Sequence, residues 1–346
     1  MNHKDPHNRR ASFKLPPLAR AGDAQEARRL AALEQQQKRR EKVITLSRAS
    51  SYFATLGTLT PDSDSAPPSP SSPLKWANKL MYAEVLELGG SGPRMEVDRE
   101  NGWVAVGPVP VGKRCMAVTY ALENGAVVTA LHSRLSGHLF LRYPSHLPPD
   151  TILDCILDTK WHETGLLHIL DVMRWRSQDL STCEAEFRFW FLQSRIAELP
   201  LIPPPSAPPF KQPYVPMPVP FYLSPLTPAV LLMNVLPPAK VGRMIPLLAP
   251  LPSPGAVLDT MPTLCASDGL LLYLKAATYQ SGPTPLACWV PNQPLEGESE
   301  SRLDVFERCV QIRHAQDLLT ASDRLLRARA AQAGMPNGYE VTMEEG

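Results

Sequence analysis

The sequence predicts an α+β protein with mostly antiparallel sheets, preceded by a basic N-terminal arm that is either helical or disordered. Three observations carry that expectation. Short runs rich in Val, Ile and Leu (103–119, 151–158 and 166–176) are broken by turn residues and follow one another closely, which favours antiparallel pairing. Val305, Ile312, Leu319 and Leu326 recur every seven residues before Gly334 and Pro336, the pattern of a C-terminal amphipathic helix. Residues 1–50 hold twelve Lys and Arg against five acidic residues, a net +7; of the chain's 35 basic and 34 acidic residues, 23 and 29 remain for the rest, a net −6. A basic arm therefore precedes a mildly acidic body.

The first element is a helix over 24–44. Asp23 with Glu26 three residues on has the form of a capping box, and AQEARRLAALEQQQKRREKVI is rich in strong helix formers. Its basic residues point around most of the circumference, and Ala27, Leu30, Ala31 and Leu33 form only a short apolar stripe, so it is expected to bury little within its own chain. TPDSDSAPPSPSSP (60–73) has no core-forming residue and reads as a linker, with Ser69-Pro70 and Ser72-Pro73 as candidate phosphorylation sites. WANKLMYAEVLEL, from Trp76, opens the body as a helix or an extended lead-in. After the three strand runs, Ser181 and Glu184 suggest a capped helix over 180–196. Proline recurs so densely from 199 to 254 that regular ladders are not expected there, only an extended insertion with a short helix near 228–236. DGLLLYL, from Asp268, returns to strand.

The 346 residues could form two domains, but 38 prolines and the biased segments argue for one core with appendages. No apolar run approaches the length that spans a bilayer, and the polar, basic start lacks the apolar segment of a secretory signal, so a soluble protein is expected. Six scattered cysteines form no CxxC pair, which suits reduced thiols in the cytosol or nucleus and offers no zinc site. His132, His138, His162 and His168 have no partner at ligand or triad spacing and read as ordinary surface or core residues. No Walker loop, GxSxG or catalytic cysteine pattern is present.

Three acidic motifs fall in order: LDC (Leu153 to Cys155), LDV (Leu170 to Val172) and DGL (Asp268 to Leu270). That order resembles the nucleotidyltransferase fold of RNA capping enzymes and DNA ligases, in which the lysine of K-x-D-G-x-R attacks a nucleotide phosphate. The matching stretch here, Val109 to Arg114, keeps the glycine and the arginine but has valine at the nucleophile position, and no K-x-D-G occurs in the chain. Valine offers no lone pair, so a lysyl-nucleotide cannot form there. Asp154, Asp171 and Asp268 then have two readings, as ligands of a phosphate-bound magnesium ion or as structural acceptors at strand ends.

GKRCMAV (Gly112 to Val118), TILDCI (Thr151 to Ile156), LDVMRWR with EFRFWF (Leu170 to Phe191) and the stretch from Asp268 to Trp289 together resemble the snurportin family, over about 75–335 and more diffusely over 8–48. Snurportins are import adaptors that bind the trimethylguanosine cap of spliceosomal small nuclear RNAs. The resemblance implies that Trp289 stacks the cap, a role suited to an indole facing a flat, cationic methylated guanine. It also implies that Tyr82 replaces a leucine beside the cap, Ala83 a serine that hydrogen-bonds it, Val85 a second tryptophan and Val109 a cysteine of the pocket. The next base would then be stacked by Tyr82 or Trp76. Arg114 matches the phosphate-contacting arginine, and Arg134, two residues before Ser136-Gly137, stands in for a second phosphate cation; Lys113, Lys275 and Arg142 are weaker candidates.

The resemblance extends to the arm. An importin-β-binding segment is implied, with Arg10 (or Arg9) and Lys14 near its start, then Arg28, Arg29, Lys38, Arg39 and Arg40. The expected organisation is an arm (1–50), a linker (51–74), a cap-binding domain (75–335, with a proline-rich insertion at 199–254) and a tail (336–346). The expected function is a non-catalytic nuclear import adaptor that shuttles between cytoplasm and nucleus. It would link capped small nuclear RNA to importin β and be recycled by a nuclear exportin, with no cofactor, no metal and no membrane. The alternatives are an RNA guanylyltransferase-like enzyme with a relocated nucleophile, and an interaction scaffold with a degenerate pocket.

Overall fold

The structure, a computed structural model, describes residues 25–50, 75–88, 102–205, 207–248 and 260–333. The linker with its Ser-Pro sites, the tail, Arg10 and Lys14 lie outside the described residues. Among the described residues, two large, mostly antiparallel sheets and one two-stranded ladder make up the body. The strands β1 (Met81–Val85), β2 (Trp103–Pro110), β10 (Phe221–Tyr222), β13 (Ser267–Leu274) and β14 (Gly282–Pro291) form a five-stranded sheet in the order β1-β14-β13-β2-β10. β1 runs parallel to β14, and the other pairs are antiparallel. The second sheet holds β3 (Gly112–Ala121), β4 (Val127–Ser133), β5 (Leu139–Pro144), β6 (Thr151–Asp158), β7 (Leu166–Trp175) and β8 (Gln178–Asp179), in the order β5-β4-β3-β6-β7-β8.

The chain passes from one sheet to the other within a single residue. β2 ends at Pro110 and β3 begins at Gly112, with the Val111 N–H donating to the Ala266 carbonyl at 3.1 Å. A side chain at Gly112 would lie 2.3 Å from the Leu157 carbonyl oxygen, so only glycine lets the crossing strand lie this close to β6. The sheets bury Val104, Val106, Leu271 and Trp289 against Ile156, Leu170 and Phe189. Between them a helix, α3 (Ala185–Ala197), anchors through Arg188. This fully buried guanidinium donates twice to Asp171, at 2.9 Å each, and to the carbonyls of Cys183 and Ala277.

The three central strand runs and the DGLLLYL strand form as the sequence predicts, and WANKLMYAEVLEL resolves into a turn followed by β1. Other segments depart from expectation. α3 starts at Glu184 without a side-chain cap, because Ser181 is turned back to Asp179 by its N–H and its hydroxyl. The proline-rich insertion does form ladders: β9 (Val215–Pro218) pairs in parallel with β7, and β11 (Arg243–Leu248) pairs with β12 (Thr260–Cys265). Prolines are tolerated in β9 because it is an edge strand. Val215 and Val219 donate to Gly165 and Ile169, while Pro216, Pro218 and Pro220 fall at the alternate positions, where no donor is needed. The short helices α4 (Pro228–Val230) and α5 (Leu236–Val241), joined by a π turn over Leu231–Val235, carry Leu231, Val235 and Leu236 into the core.

The two terminal helices also differ from their sequence reading. α1 (Gln25–Ser50) does not leave its face unused. Gln25 and Arg29 are buried against the back of β1 and β14 and Gln36 against Thr278 in the turn between β13 and β14, whereas Leu30 is 60% exposed. The face is polar, so a search for apolar periodicity passes over it. α6 (Arg302–Ala333) packs through Leu303, Phe306 and Val310, while Ile312, Leu319 and Leu326 of the seven-residue recurrence are exposed. Among the described residues no helix is long and apolar enough to cross a membrane.

Candidate functional site

A cavity of about 790 Å³ opens where the chain crosses between the sheets. β1 contributes Tyr82 and Ala83, β14 contributes Trp289, β2 contributes Val109, and β3 contributes Lys113 and Arg114. The turn after β4 adds Arg134, and the end of β6 with the short helix α2 (Trp161–Thr164) adds Asp158 and Trp161. Of the seven cap-site candidates, Tyr82, Ala83, Val109, Arg114 and Arg134 thus meet Trp289 in one cavity. Trp76 is not on this wall; it leans on His132 at 5.9 Å and under the Lys75 ammonium at 5.2 Å.

Trp289 is held on both sides, paired with Leu271 of β13 and Val85 of β1. At 3% exposure it is both a wall of the cavity and part of the core. Its neighbours on the strands, Glu84 and Cys288, point to the opposite face, where α1 covers them. There Gln25 donates to Glu84 at 3.2 Å and to the Val85 carbonyl at 2.9 Å, Arg28 bridges Glu84 (2.9 Å) and Glu87 (3.1 Å), and Arg29 donates to the Cys288 Sγ at 3.0 Å. Arg40 pairs with Glu184 at 3.1 Å, and Lys38 with Glu34 of its own helix. The cavity and the basic arm are therefore separated by one sheet layer.

Arg114 reaches the cavity as half of a fork. Its Nε and Nη2 donate to the two oxygens of Asp154, at 2.9 and 2.6 Å. Asp154 is fully buried and also accepts from the Tyr279 hydroxyl at 2.9 Å, which in turn accepts from the Met81 N–H. Burial opposes the charge on Arg114, but the Asp154 carboxylate outweighs it and holds the guanidinium protonated. Asp154 and Asp171 are thus each clamped by an arginine, the structural one of their two readings. Asp268 instead sits on the cavity wall.

Arg134 is placed differently. Its guanidinium lies 4.5 Å from the Tyr82 ring, whose hydroxyl donates to Asn78 at 3.0 Å. Burial, and then the like charge of Arg114, push Arg134 down to about 10, which still leaves it protonated at neutral pH. Two guanidinium groups that repel each other across a cavity wall are relieved by an anion between them, as phosphate oxygens would be. Lys113 stands over Phe140 at 3.7 Å. Of the weaker candidates, Lys275 pairs with Glu186 and Arg142 lies by Tyr120, neither on the cavity wall.

Trp161 is a site residue that the sequence reading passes over. It lines the cavity, stacked on His162 at 3.6 Å, from a four-residue helix ended by Gly165 in a left-handed turn. Its signal was its place just after the TILDCILD strand, in the turn that returns to β7. The cavity thus offers one indole from β14 and one from α2, with Lys113, Arg114 and Arg134 also in its lining.

Residues 92–224 match the family model described as Snurportin1, m3G cap-binding domain. The matched span runs from before β2 through β10 and takes in Val109, Arg114, Arg134 and Trp161; Tyr82, Ala83 and Trp289 lie outside it. With its α+β architecture and mostly antiparallel sheets, the fold is of the capping-enzyme type. Over residues 92–224 the chain is thus similar to the m3G cap-binding domain of the snurportin family.

Proposed function

We infer that this protein is a non-catalytic nuclear import adaptor, which holds the trimethylguanosine cap of spliceosomal small nuclear RNA in the cavity and presents its basic arm to importin β. The observation that carries the reading is the cavity itself, lined by both Trp289 and an arginine pair. A methylated guanine is flat and cationic and suits an indole face, and its triphosphate bridge suits Arg114 and Arg134. Ala83 and Val109 supply small apolar wall where the resemblance implies a serine and a cysteine, and Tyr82 supplies a ring where it implies a leucine.

The absence of catalysis rests on chemistry. Val109 lines the cavity at the position of the capping-enzyme nucleophile and has no atom that can attack a phosphate. Incubation with labelled GTP and magnesium or manganese is expected to leave the protein unlabelled, and an acid-labile phosphoramidate adduct would overturn the reading. For the arm, the acidic concave surface of importin β is the partner of matching charge. Arg28, Arg29 and Arg40 are engaged with the body, so this partner has to displace Glu84, Glu87, Cys288 and Glu184 to reach them. A binding assay of the full chain against importin β, with and without residues 1–50, tests the link.

A further inference from the structure

Behind the cavity, Asp158 at the end of β6, His168 on β7 and Cys265 at the end of β12 come together, all buried, with one donor atom from each lying within 4.8 Å of the others. Asp158 Oδ2 and His168 Nε2 are 2.9 Å apart, and Asp158 Oδ1 accepts from the Lys160 N–H at 2.6 Å. His168 is 1% exposed in its side chain, and its Nδ1 is buried with no hydrogen-bond partner. The nitrogen that faces Asp158 is Nε2, so Nε2 is the imidazole donor that the cluster offers.

We propose that Asp158, His168 and Cys265 form a binding site for a zinc-type divalent ion. The donor set decides the class of ion. One imidazole nitrogen, one carboxylate oxygen and one thiolate sulfur suit a borderline ion such as Zn²⁺ in tetrahedral coordination, with water as the fourth ligand, whereas Mg²⁺ and Ca²⁺ seek oxygen alone. Tetrahedral bonds of about 2.0 to 2.3 Å place neighbouring donors about 3.3 to 3.7 Å apart, within the present spread. Binding requires that the Asp158–His168 hydrogen bond opens and that the Cys265 Sγ–H bond breaks. The thiol proton leaves to solvent as the S–Zn bond forms, with no change of oxidation state.

Charge around the site is compatible with this. Arg243, paired with Cys265 across the β11–β12 ladder, is the nearby cation, and its Nη2 donates to the Pro218 carbonyl at 3.1 Å. The Asp158 carboxylate and the Cys265 thiolate together carry −2, so they and Zn²⁺ present Arg243 with a neutral complex. Asp158 also lines the cavity, which gives the ion an access route. The consequence is structural: zinc would staple the β11–β12 ladder, whose first strand belongs to the proline-rich insertion, to the sheet that carries Arg114. The proposal does not depend on what the cavity binds.

The test is to strip the full-length protein with a chelator and titrate it with Co²⁺, then with Zn²⁺. One equivalent of Co²⁺ is expected to produce tetrahedral visible bands and a near-ultraviolet thiolate-to-cobalt band, both removed by Zn²⁺. Cys265→Ser, which keeps the side-chain shape, loses the thiolate band, and Asp158→Asn weakens binding by about tenfold or more. Zn²⁺ should raise the melting temperature of the parent and leave that of Cys265→Ser unchanged. Absence of the thiolate band in the parent at micromolar metal would overturn the proposal. So would a band that persists in Cys265→Ser, since another of the six cysteines would then be its source.

Discussion

Trp289 serves the core and the cavity at once, and a single substitution there has two separable effects. Losing an indole face costs about 1 to 3 kcal/mol per stacked base, about five- to a hundredfold in cap affinity. Removing a tryptophan that is 3% exposed also costs about 3 to 5 kcal/mol of stability. Trp289→Ala is therefore expected to lower both the melting temperature and the affinity, and Trp289→Phe to keep part of each. Both are measured on the same sample; a folded Trp289→Ala protein with parental cap affinity contradicts the assignment. The two arginines should diverge in the same way. Arg114→Ala strands a fully buried Asp154, so about 3 to 5 kcal/mol of stability is lost with it. Arg134→Ala is expected to act on the ligand. It should flatten the slope of log affinity against log salt by about 0.7, the single-strand value for one phosphate contact. An unchanged slope would remove Arg134 from the phosphate site.

At the scale of elements, the docked α1 changes what the arm is expected to do. Read from sequence, residues 1–50 look separable from the cap site. In the structure Arg29 is buried against Cys288, next to Trp289, and Arg28 holds Glu84, next to Ala83. Arg28→Ala with Arg29→Ala should cost about 1 to 3 kcal/mol for hydrogen bonds that involve charged groups, a fall of a few degrees in melting temperature. It should also weaken the cap, because the strands that carry Ala83 and Trp289 lose their backing. Unchanged melting temperature and cap affinity would mean that the helix merely rests on the body. This docking was not legible because its face is Gln25, Arg29 and Gln36, polar residues whose partners, Val85, Cys288 and Thr278, lie more than fifty residues away. The β9 ladder escaped for a related reason: proline density says nothing about which positions need a donor, and only an edge strand with prolines at every second place resolves the conflict. Strands β2, β3, β6 and β7 were legible because their branched residues and turns are local signals.

For the whole molecule, legibility follows the range of the interactions. The resemblance over GKRCMAV, TILDCI and LDVMRWR, all inside residues 92–224, agrees with the match to the snurportin cap-binding domain. Tyr82, Ala83, Val109, Arg114, Arg134 and Trp289 do share one cavity. Trp161 and the Asp158–His168–Cys265 cluster were missed, since neither has a spacing motif: His168 and Cys265 are brought together by a hairpin nearly a hundred residues downstream. Ala83 and Val109 leave the cavity with fewer polar donors than the resemblance implies, so cap recognition falls mainly on stacking and phosphate charge. On the proposed function, this cavity holds a trimethylguanosine cap. The most direct test is a competition of short RNAs, identical except for a trimethylguanosine, a monomethylguanosine or no cap, against a labelled trimethylguanosine-capped probe on the full-length protein. The trimethylated cap is expected to displace the probe best, and uncapped RNA to fail at concentrations where the trimethylated cap competes. Equal competition by all three would contradict the proposed function.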